Sequence, residues 1–330
     1  MQQIKILGSG KYLPARIVTS AEIDRKIGVA EGWSEKKSGV KHRRFVENET
    51  ASYMGKMAIL DALEDAGLNC NDIDCIIGAS GSMEQPIPCN AALIQEELGL
   101  EDSGIPCFDV NSTCLSFVVG LDMAAYLIEG GRYRNIVLVS SEISSIGLNW
   151  EQNESSALFG DGAAAFIIGK SKPEESSRII TSRLETYSKG AHLSEIRGGG
   201  SKYHPREHSE QTKGEFLFDM DGQAIFKMTS KLIEGFIHRL FETCNLRMKD
   251  MRMVIPHQAS KVAMNLVRKR LGIDEGRFMT IIENHGNVIA ASIPLALHEA
   301  IKQNRIQRGD TVMLLGTSAG LSIGGMIFEY

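Results

Sequence analysis

The chain has 330 residues, of which 43% are hydrophobic and 23% charged, with a formal net charge of −5. This balance is typical of a globular protein and gives no general attraction to nucleic acid or to an anionic membrane. No apolar run reaches the length of a membrane span, and the N-terminus lacks the profile of a signal peptide.

The first half of the chain alternates apolar strands with helical patterns. The predicted strands are 4–8, 74–80, 135–142 and the Gly-rich segment 159–169, and the predicted helices are 20–27, 50–66, 91–98 and one that ends near residue 129. Ser20 is a plausible cap of the first helix, Gly67 ends the second, and residues 39–45 form a basic connection. Strands that are apolar throughout and alternate with helices predict an α/β sheet covered on both faces.

The second half repeats this plan. A helix at about 220–244 precedes a predicted strand at 250–257, a helix at 261–271, an apolar segment that opens at Asn287 and a strand at 310–316. The repeats align at offsets of 178 (residue 250 on 72), 173 (Asn287 on Cys114) and 175 (residue 310 on 135). We therefore predict two copies of one α/β unit, 1–172 and 173–330, packed about a pseudo-two-fold axis.

A single cysteine, Cys114, stands between a short apolar run and a helical pattern. This arrangement predicts a strand, a tight turn and a buried helix, with Cys114 at the first helical turn. Free backbone N–H groups and the positive end of the helix dipole favour the thiolate there, which is the nucleophilic form of cysteine. The alternative interpretation is a small buried hydrophobic residue.

In the repeat, the turn aligned with Cys114 carries Asn287, and His257 ends the strand two elements earlier. Two-fold packing would bring these three side chains to one point. A thiolate beside a neutral histidine and an amide suits acyl chemistry on thioesters, because the thiolate can store the acyl group while the other two donate to an oxyanion. A structural histidine and a cap or turn asparagine are the alternatives.

The six cysteines are scattered without a CxxC pair. This pattern predicts free thiols in a cytoplasmic protein, and it argues against a disulfide framework and against a zinc site.

Six motifs in order resemble β-ketoacyl-ACP synthase III, a family of the thiolase-like superfamily. They are SGVKHRR at 38–44, DVNSTC at 109–114, FGDGAAA at 159–165, HQAS at 257–260, HGN with AASIPLAL at 285–297, and the Gly-rich segment 316–325. The resemblance implies an α/β, five-layered αβαβα thiolase-like fold built from two pseudo-two-fold-related halves. It also implies a homodimer.

The resemblance further implies a ping-pong reaction that needs no metal or organic cofactor. An acyl-CoA would acylate Cys114, and malonyl-ACP or malonyl-CoA would then lose CO₂ while His257 and Asn287 stabilise the enolate. The enolate would attack the Cys114 thioester. The backbone N–H groups of Cys114 and Ala319 match the oxyanion hole of the family.

A substrate tunnel and a carrier-protein surface are implied as well. The matching CoA- and pantetheine-binding positions are Trp33, Lys37, Gly222, Phe226, Ala259 and Ser260, and the matching acyl-pocket positions are Ile87 and Phe159. Basic residues that would bind an acidic acyl carrier protein are Lys227, Lys261, Arg268, Lys269 and Arg270; a solvated helix face is the alternative. Ser260 stands where asparagine is usual, and Asn153 stands where an arginine contacts CoA, which leaves the acyl donor open.

Three other functions compete with this one. A non-decarboxylating relative would join two acyl thioesters or transfer an acyl group, with Glu84 as the candidate base. A cysteine hydrolase with papain-like order of Cys, His and Asn does not explain the duplication. A catalytically inactive partner subunit conflicts with the intact set of Cys114, His257 and Asn287.

Overall fold

The computed structural model describes residues 2–330, in which strands and helices alternate along the chain. The first half contains β1 (Ile4–Tyr12), β2 (Arg16–Thr19), α1 (Ser20–Ile27), α2 (Trp33–Ser38), β3 (His42–Phe45), α3 (Ala51–Ala66), β4 (Cys75–Gly78), α4 (Asn90–Glu97), β5 (Cys107–Asp109), α5 (Ser116–Glu129), β6 (Asn135–Glu142), α6 (Asn153–Ser156) and β7 (Gly162–Lys170). The second half contains β8 (Arg178–Thr186), β9 (Ser194–Glu195), β10 (Asp219–Met220), α7 (Gly222–Phe241), β11 (Met253–Pro256), α8 (Lys261–Arg270), α9 (Ile282–His285), α10 (Ser292–Lys302), β12 (Thr311–Ser318) and β13 (Ser322–Glu329).

Two sheets of matching topology form the frame of the molecule. The first has the strand order β1-β7-β6-β4-β5, and the second has the order β8-β13-β12-β11. In the first sheet β4 is parallel to β6, β6 is antiparallel to β7, and β7 is antiparallel to β1. In the second sheet β11 is parallel to β12, β12 is antiparallel to β13, and β13 is antiparallel to β8. The second sheet therefore repeats the first without a counterpart of β5. The proposed division at residue 172 falls in the connection between β7 and β8.

Helices cover both faces of the two sheets. Helix α3 packs on β1, β6 and β7, and α4 packs on β4 and β5. Helices α5 and α10 lie between the sheets, where they contact strands of both, and α7 covers the far face of the second sheet at β8 and β13. The resulting order of helix, sheet, helix, sheet and helix confirms the predicted five-layered arrangement.

Strand β6 shows why the central strands are apolar throughout. Ile136 and Leu138 pack in the central layer with α5 and α10, whereas Val137 and Val139 pack under α3. All four side chains are fully buried, and burial of each aliphatic side chain contributes about 1.5–3 kcal/mol. A shift of one residue in register would only exchange the two buried faces, so the register depends on packing shape and on the polar residues at the strand end.

Two local predictions were wrong. Thr19, not Ser20, caps α1: its side chain accepts the N–H of Glu22, whose carboxylate accepts the N–H of Thr19 in return. The predicted basic connection instead contains β3, which pairs antiparallel with β2. Arg43 in β3 is fully buried and donates to the carbonyl oxygen of Ala157 at 2.6 Å. One charge of this basic segment therefore lies inside the protein.

Candidate active site

Cys114 lies in a 3-10 turn, Thr113–Leu115, that connects β5 to α5. Asn111 Oδ1 accepts the N–H of Thr113 at 2.9 Å, and the N–H of Ser112 donates to the Ser116 hydroxyl at 2.9 Å. Thr113 has a φ of +47°, in the left-handed region that is costly for a β-branched residue. Cys114 is thus half-buried in a turn that side chains fix at both ends.

Burial of the Cys114 thiol opposes the thiolate that the helix dipole favours. Burial, and then the charge of the Glu142 carboxylate, raise the pKa of this thiol to about 12. The N–H groups of Ala319 and of Cys114 itself point at the sulfur and oppose the rise. Desolvation of the anion outweighs these dipoles because α5 begins only at Ser116, two residues after the cysteine.

A second turn of the same construction carries Asn287. Asn287 Oδ1 accepts the N–H of Ile289 at 3.0 Å, and the N–H of Val288 donates to the Ser292 hydroxyl at 2.9 Å. Ile289 has a φ of +43°, and the 3-10 turn Ile289–Ala291 leads into α10. Because Oδ1 is engaged, the amide NH₂ of the buried Asn287 is the end left for a ligand; no described residue accepts from it.

By their hydrogen bonds, Asn111 in the first turn corresponds to Asn287 in the second, which corrects the predicted alignment. Each asparagine bonds the N–H two residues ahead, and each turn then reaches its serine five residues after the asparagine. The offset is therefore 176, as it also is for the starts of β6 and β12 (Asn135 and Thr311). The counterpart of Cys114 is Ala290, so Asn287 is not the repeat's equivalent of the nucleophile.

His257 follows β11 and is held by its backbone, whose N–H donates to Leu315 at 2.8 Å. Burial lowers the pKa of His257 to about 4, so the ring is neutral near pH 7. Its Nδ1 has no hydrogen-bond partner among the described residues. The next residue, Gln258, is fully buried and fixes the strand end by accepting the N–H of Ile281 at 2.9 Å.

Two glycines let the three elements approach one another. A Cβ atom at Gly316 would lie 3.0 Å from Cβ of His257 and 3.1 Å from Cδ2 of Leu115, so the histidine and the cysteine turn pack on the same glycine. A Cβ atom at Gly81 would lie 2.7 Å from Cγ2 of Ile289 and 3.2 Å from the carbonyl carbon of Thr113. The Cys114 turn therefore adjoins both the His257 strand end and the Asn287 turn.

One charged residue of the site was missed in the sequence. Glu142 is fully buried at the end of β6 and contributes to the pKa of Cys114. Burial raises the pKa of its own carboxyl to about 7, although the N–H groups of Gly81, Ser82 and Ala290 and the Ser82 hydroxyl all point at it. An acid that ends an apolar strand suggests a solvated terminus, so only a burial prediction for the neighbouring loop could have identified it.

The predicted tunnel residues lie on three elements. Trp33 opens α2 and is half-buried, and the Lys37 ammonium lies 5.8 Å from the Trp33 ring centre and 3.7 Å from the Glu154 carboxylate. Gly222 and Phe226 occupy the first turns of α7. The remaining two lie between β11 and α8: Ala259 follows His257 by two residues, and the Ser260 hydroxyl caps α8 by accepting the N–H of Ala263 at 3.2 Å.

A polar cavity of about 350 Å³ opens beside the start of α7. Its lining consists of Gln152, Glu154, His192, Leu193, Asp219, Met220, Asp221, Gly222 and Gln223. Phe218, next to this lining, packs edge-on against Phe159 with ring centres 5.1 Å apart. The backbone of Phe159 forms a bridge with that of Asn287, so Phe159 packs between Phe218 and the Asn287 turn.

The predicted basic patch is smaller than expected. Lys227 and Lys269 are exposed and form no ion pair among residues 2–330, whereas Lys261 pairs with Glu283 and Arg270 with Glu234. The fifth member, Arg268, turns inward: its side chain is 15% exposed and donates to the carbonyl oxygen of Ile273 at 3.1 Å. Arg268 therefore cannot belong to a docking surface.

The two predicted acyl-pocket residues have opposite environments. Phe159 is buried beside Asn287, but Ile87 is 84% exposed on the loop before α4. The candidate base Glu84, on the same loop, caps the start of α3 by accepting the N–H of Ser52 at 2.8 Å. Within one chain, Ile87 thus lines no buried pocket, and the Glu84 carboxylate is engaged at the start of α3.

Neither a metal centre nor a membrane helix is found in the described chain. No group of three or more His, Cys, Asp or Glu side chains in residues 2–330 is arranged to hold a metal ion. In the same residues, no helix combines the length and the apolar character needed to span a bilayer.

Comparisons with known proteins agree with this fold over its whole length. Residues 108–188 match the family model of 3-oxoacyl-[acyl-carrier-protein] synthase III, and residues 241–330 match the model of its C-terminal part. The β-ketoacyl-[acyl-carrier-protein] synthase III of Aquifex aeolicus is 31% identical over 326 residues, with 99% of each chain covered. The enzyme of the same name from Neisseria gonorrhoeae is 31% identical over 331 residues and is covered completely.

Solved structures show the same architecture. The 3-oxoacyl-[acyl-carrier-protein] synthase III of Aquifex aeolicus superposes with a TM-score of 0.88 at 29% identity, covering 99% of this chain and 100% of that one. The priming β-ketosynthase of the R1128 polyketide pathway superposes with a TM-score of 0.89 at 27% identity, covering 99% and 96%. The fold and these likenesses define a thiolase-like condensing enzyme. More specifically, the chain belongs to the 3-oxoacyl-[acyl-carrier-protein] synthase III family.

Proposed function

We propose that this protein catalyses a decarboxylating Claisen condensation with Cys114 as the nucleophile. The observation that carries the proposal is the position of the Cys114 thiol against two N–H groups from different halves, its own and that of Ala319. Such a pair of donors can bind the oxyanion of a thioester under attack. Family membership favours this chemistry over the hydrolase, the inactive subunit and the non-decarboxylating relative.

In the loading step, the sulfur of Cys114 attacks the carbonyl carbon of an acyl thioester. The bond from that carbon to the donor thiol breaks, and the donor leaves as a free thiol with the proton released by Cys114. Because the pKa of the Cys114 thiol is about 12, the proton must leave as the new bond forms. The neutral His257 next to this turn is the candidate for passing it on.

In the condensing step, a malonyl thioester loses CO₂ and its electron pair becomes an enolate. His257 and the amide NH₂ of Asn287 would donate to the enolate oxygen, and both are uncharged donors in a buried site. The enolate carbon then attacks the acyl group on Cys114, the carbon–sulfur bond breaks, and the sulfur regains a proton. The product is a 3-oxoacyl thioester.

We also propose an acyl carrier protein as the partner that delivers the malonyl group. On α8, the exposed side chains of Val262, Leu266 and Lys269 share one helical face, and Lys227 is exposed on α7. An apolar stripe beside unpaired lysines suits an acidic helical partner. Replacing Leu266 and Lys269 with serine and glutamate should raise the KM for malonyl-ACP and leave the KM for malonyl-CoA unchanged.

A homodimer is part of the same proposal. Ile87 is 84% exposed and Met83, on the same loop, is 60% exposed, so another surface could cover adjacent apolar side chains here. In the dimer, Ile87 would close the acyl pocket of the partner, beside Phe159. Sedimentation velocity should give twice the mass of one chain, and a monomeric sedimentation coefficient at micromolar concentration would contradict the proposal.

The central experiment is intact-protein mass spectrometry after incubation with a panel of acyl-CoA and acyl-ACP donors, followed by a malonyl-ACP chase. An adduct on Cys114 that disappears with release of CO₂ is the expected result. A Cys244→Ala variant should behave like the wild type, because Cys244 lies outside the site. An adduct that ignores malonyl-ACP but is discharged by a second acyl thioester would instead establish the non-decarboxylating reaction.

A further inference from the structure

Glu142 is the one charged group that alters the pKa of Cys114 among the described residues, and no step above uses it. It is fully buried at the end of β6, at the junction of the two halves. A buried carboxylate is costly unless its oxygens are well supplied with donors, and such a group retained beside a nucleophile needs a role.

The carboxylate of Glu142 joins two segments that flank the nucleophile. Oε1 accepts the N–H of Gly81 at 2.5 Å, and Oε2 accepts the N–H of Ser82 at 3.0 Å together with the Ser82 hydroxyl. The N–H of Ala290, from the other half, also points at it. Gly81 lies between Thr113 and the Asn287 turn. Because Glu142 accepts the Gly81 N–H, its carboxylate helps to fix the distance between the Cys114 turn and the Asn287 turn.

The duplication shows which groups in the first half correspond to the N–H groups and the carboxylate described here. Ala290 occupies the position in its turn that Cys114 occupies in the other, so the N–H of Ala290 corresponds to the N–H that faces the Cys114 sulfur. Glu142, at the end of β6, likewise corresponds to Ser318 at the end of β12, one residue before Ala319. The turn of the second half therefore donates its N–H to an internal anion, where the first would donate to a substrate oxyanion.

We propose that Glu142 is a positioning residue: its carboxylate fills the anion-binding turn of the second half and thereby holds the Asn287 turn and the Gly81–Ser82 loop in register with the Cys114 turn. The same negative charge adds to the effect of burial in disfavouring the Cys114 thiolate. Neutralising Glu142 should therefore weaken condensation, which depends on Asn287, while making the thiol more acidic.

The test uses Glu142→Gln and Glu142→Asp in the full-length protein. In Glu142→Gln, the amide NH₂ replaces an oxygen that accepted N–H groups, so a donor would face donors. The rate of condensation should therefore fall by roughly 30-fold or more, while the rate of Cys114 loading changes less than about threefold. The pH profile of Cys114 alkylation by iodoacetamide, read by peptide mapping, should move down by about one pH unit in Glu142→Gln. Glu142→Asp keeps the charge and should keep the wild-type profile.

A matched control is Asp161→Asn, which also converts a buried carboxylate to an amide. Asp161 accepts hydrogen bonds from Ser144 and Ser145 and is not among the groups that shift the pKa of Cys114. The pH profile of Cys114 alkylation in Asp161→Asn should therefore equal that of the wild type. An unchanged profile in Glu142→Gln, or equal losses of loading and condensation, would overturn the proposal. If Glu142→Gln does not fold, Ser82→Ala removes a single donor to the carboxylate and should still lower condensation selectively; full condensation there would also overturn it.

The condensation readout rests on the proposed function, but the alkylation readout does not. A wild type that condenses no malonyl thioester would defeat the proposed function while the shift in alkylation still reported on Glu142. The two failures are thus distinguishable.

Discussion

Asn111 and Asn287 make the same hydrogen bond in the two halves: the Oδ1 atom of each accepts the N–H of the second residue ahead, at 2.9 and 3.0 Å. Their surroundings differ, because Asn111 is exposed and Asn287 is buried at the site. One asparagine therefore serves the turn alone, and the other serves the turn while offering its NH₂ to a ligand.

This pair provides a matched substitution. Asn287→Asp keeps the oxygen that bonds Ile289 but loses the amide donor and adds a charge, so condensation should fall by roughly 100-fold or more while loading of Cys114 survives. Asn111→Asp makes the same change in the exposed turn and should leave both steps within about threefold of the wild type. Equal effects of the two substitutions would mean that the Asn287 amide has no special role.

Cys114→Ala should abolish the acyl adduct while leaving the fold intact. The side chain is small, and its removal from a half-buried position leaves at most a small cavity. The melting temperature and the far-ultraviolet circular dichroism should match those of the wild type, and mass spectrometry should detect no acylation. Retained acyl transfer in this variant would remove the basis of the proposed function.

His257→Ala should separate the two steps in a different way from Asn287→Asp. Loss of the neutral ring removes both an enolate donor and the candidate proton carrier, so condensation should fall by roughly 100-fold or more and loading by a smaller factor. Single-turnover acylation followed by a malonyl-ACP chase measures the two rates. Loading that fell as far as condensation would contradict this division of roles.

His257 and Glu142 should affect stability in opposite directions as the pH changes. The pKa of His257 is near 6.5 unfolded and about 4 folded, so the unfolded chain binds the extra proton and stability is lost as the pH falls from 6.5 to 4. The pKa of Glu142 is near 4.5 unfolded and about 7 folded, so the stability present below 4.5 is lost as the pH rises to 7. Each effect is worth roughly 3 kcal/mol at most, and between pH 4.5 and 6.5 they largely cancel.

Glu142→Gln should reveal how His257 alone changes the free energy of unfolding with pH. As the pH rises from 4.5 to 7, the free energy of unfolding of the variant should increase steadily relative to that of the wild type. The reason is that the variant has no buried carboxyl group to ionise. Urea unfolding across this range measures the difference. A difference that stayed constant with pH would show that Glu142 does not titrate in this window.

Asn153→Arg should strengthen the use of acyl-CoA donors. Asn153 opens α6 beside Glu154, and Glu154 already pairs with Lys37 at 3.7 Å, so little positive charge is left at this edge of the polar cavity. A new guanidinium should lower the KM for acyl-CoA by roughly threefold to tenfold, more strongly at low salt. The KM for an acyl-pantetheine without the nucleotide is the control and should not change.

Much of the architecture could be predicted because the apolar pattern is itself repeated. The central residues of β6 and β12 are apolar on both faces, since each sheet is covered on both sides. Gly67 ends α3 in the left-handed conformation that the sequence indicates. Cys114 stood out because it begins a helical pattern, and His257 because it ends an apolar strand. These inferences depend on local pattern alone.

The rest required tertiary contacts. The alignment of the two turns was displaced by three residues because the halves share little identity, and Asn111, the true counterpart of Asn287, is defined by a hydrogen bond rather than by composition. The thiol pKa of Cys114 was misjudged because a dipole argument omits desolvation. Glu142 was missed because burial of a strand end is decided by a loop 60 residues away in the chain.

The N–H donors around Cys114 come from both halves of the chain, and this has a consequence for truncated chains. The cysteine turn is synthesised early, but Ala319 lies only eleven residues before the last residue, Tyr330. In a chain truncated before Ala319, Cys114 lacks its second N–H donor, and in a chain truncated before His257 it also lacks the histidine and the asparagine. Both N–H donors therefore face the Cys114 sulfur only when the two halves are folded together.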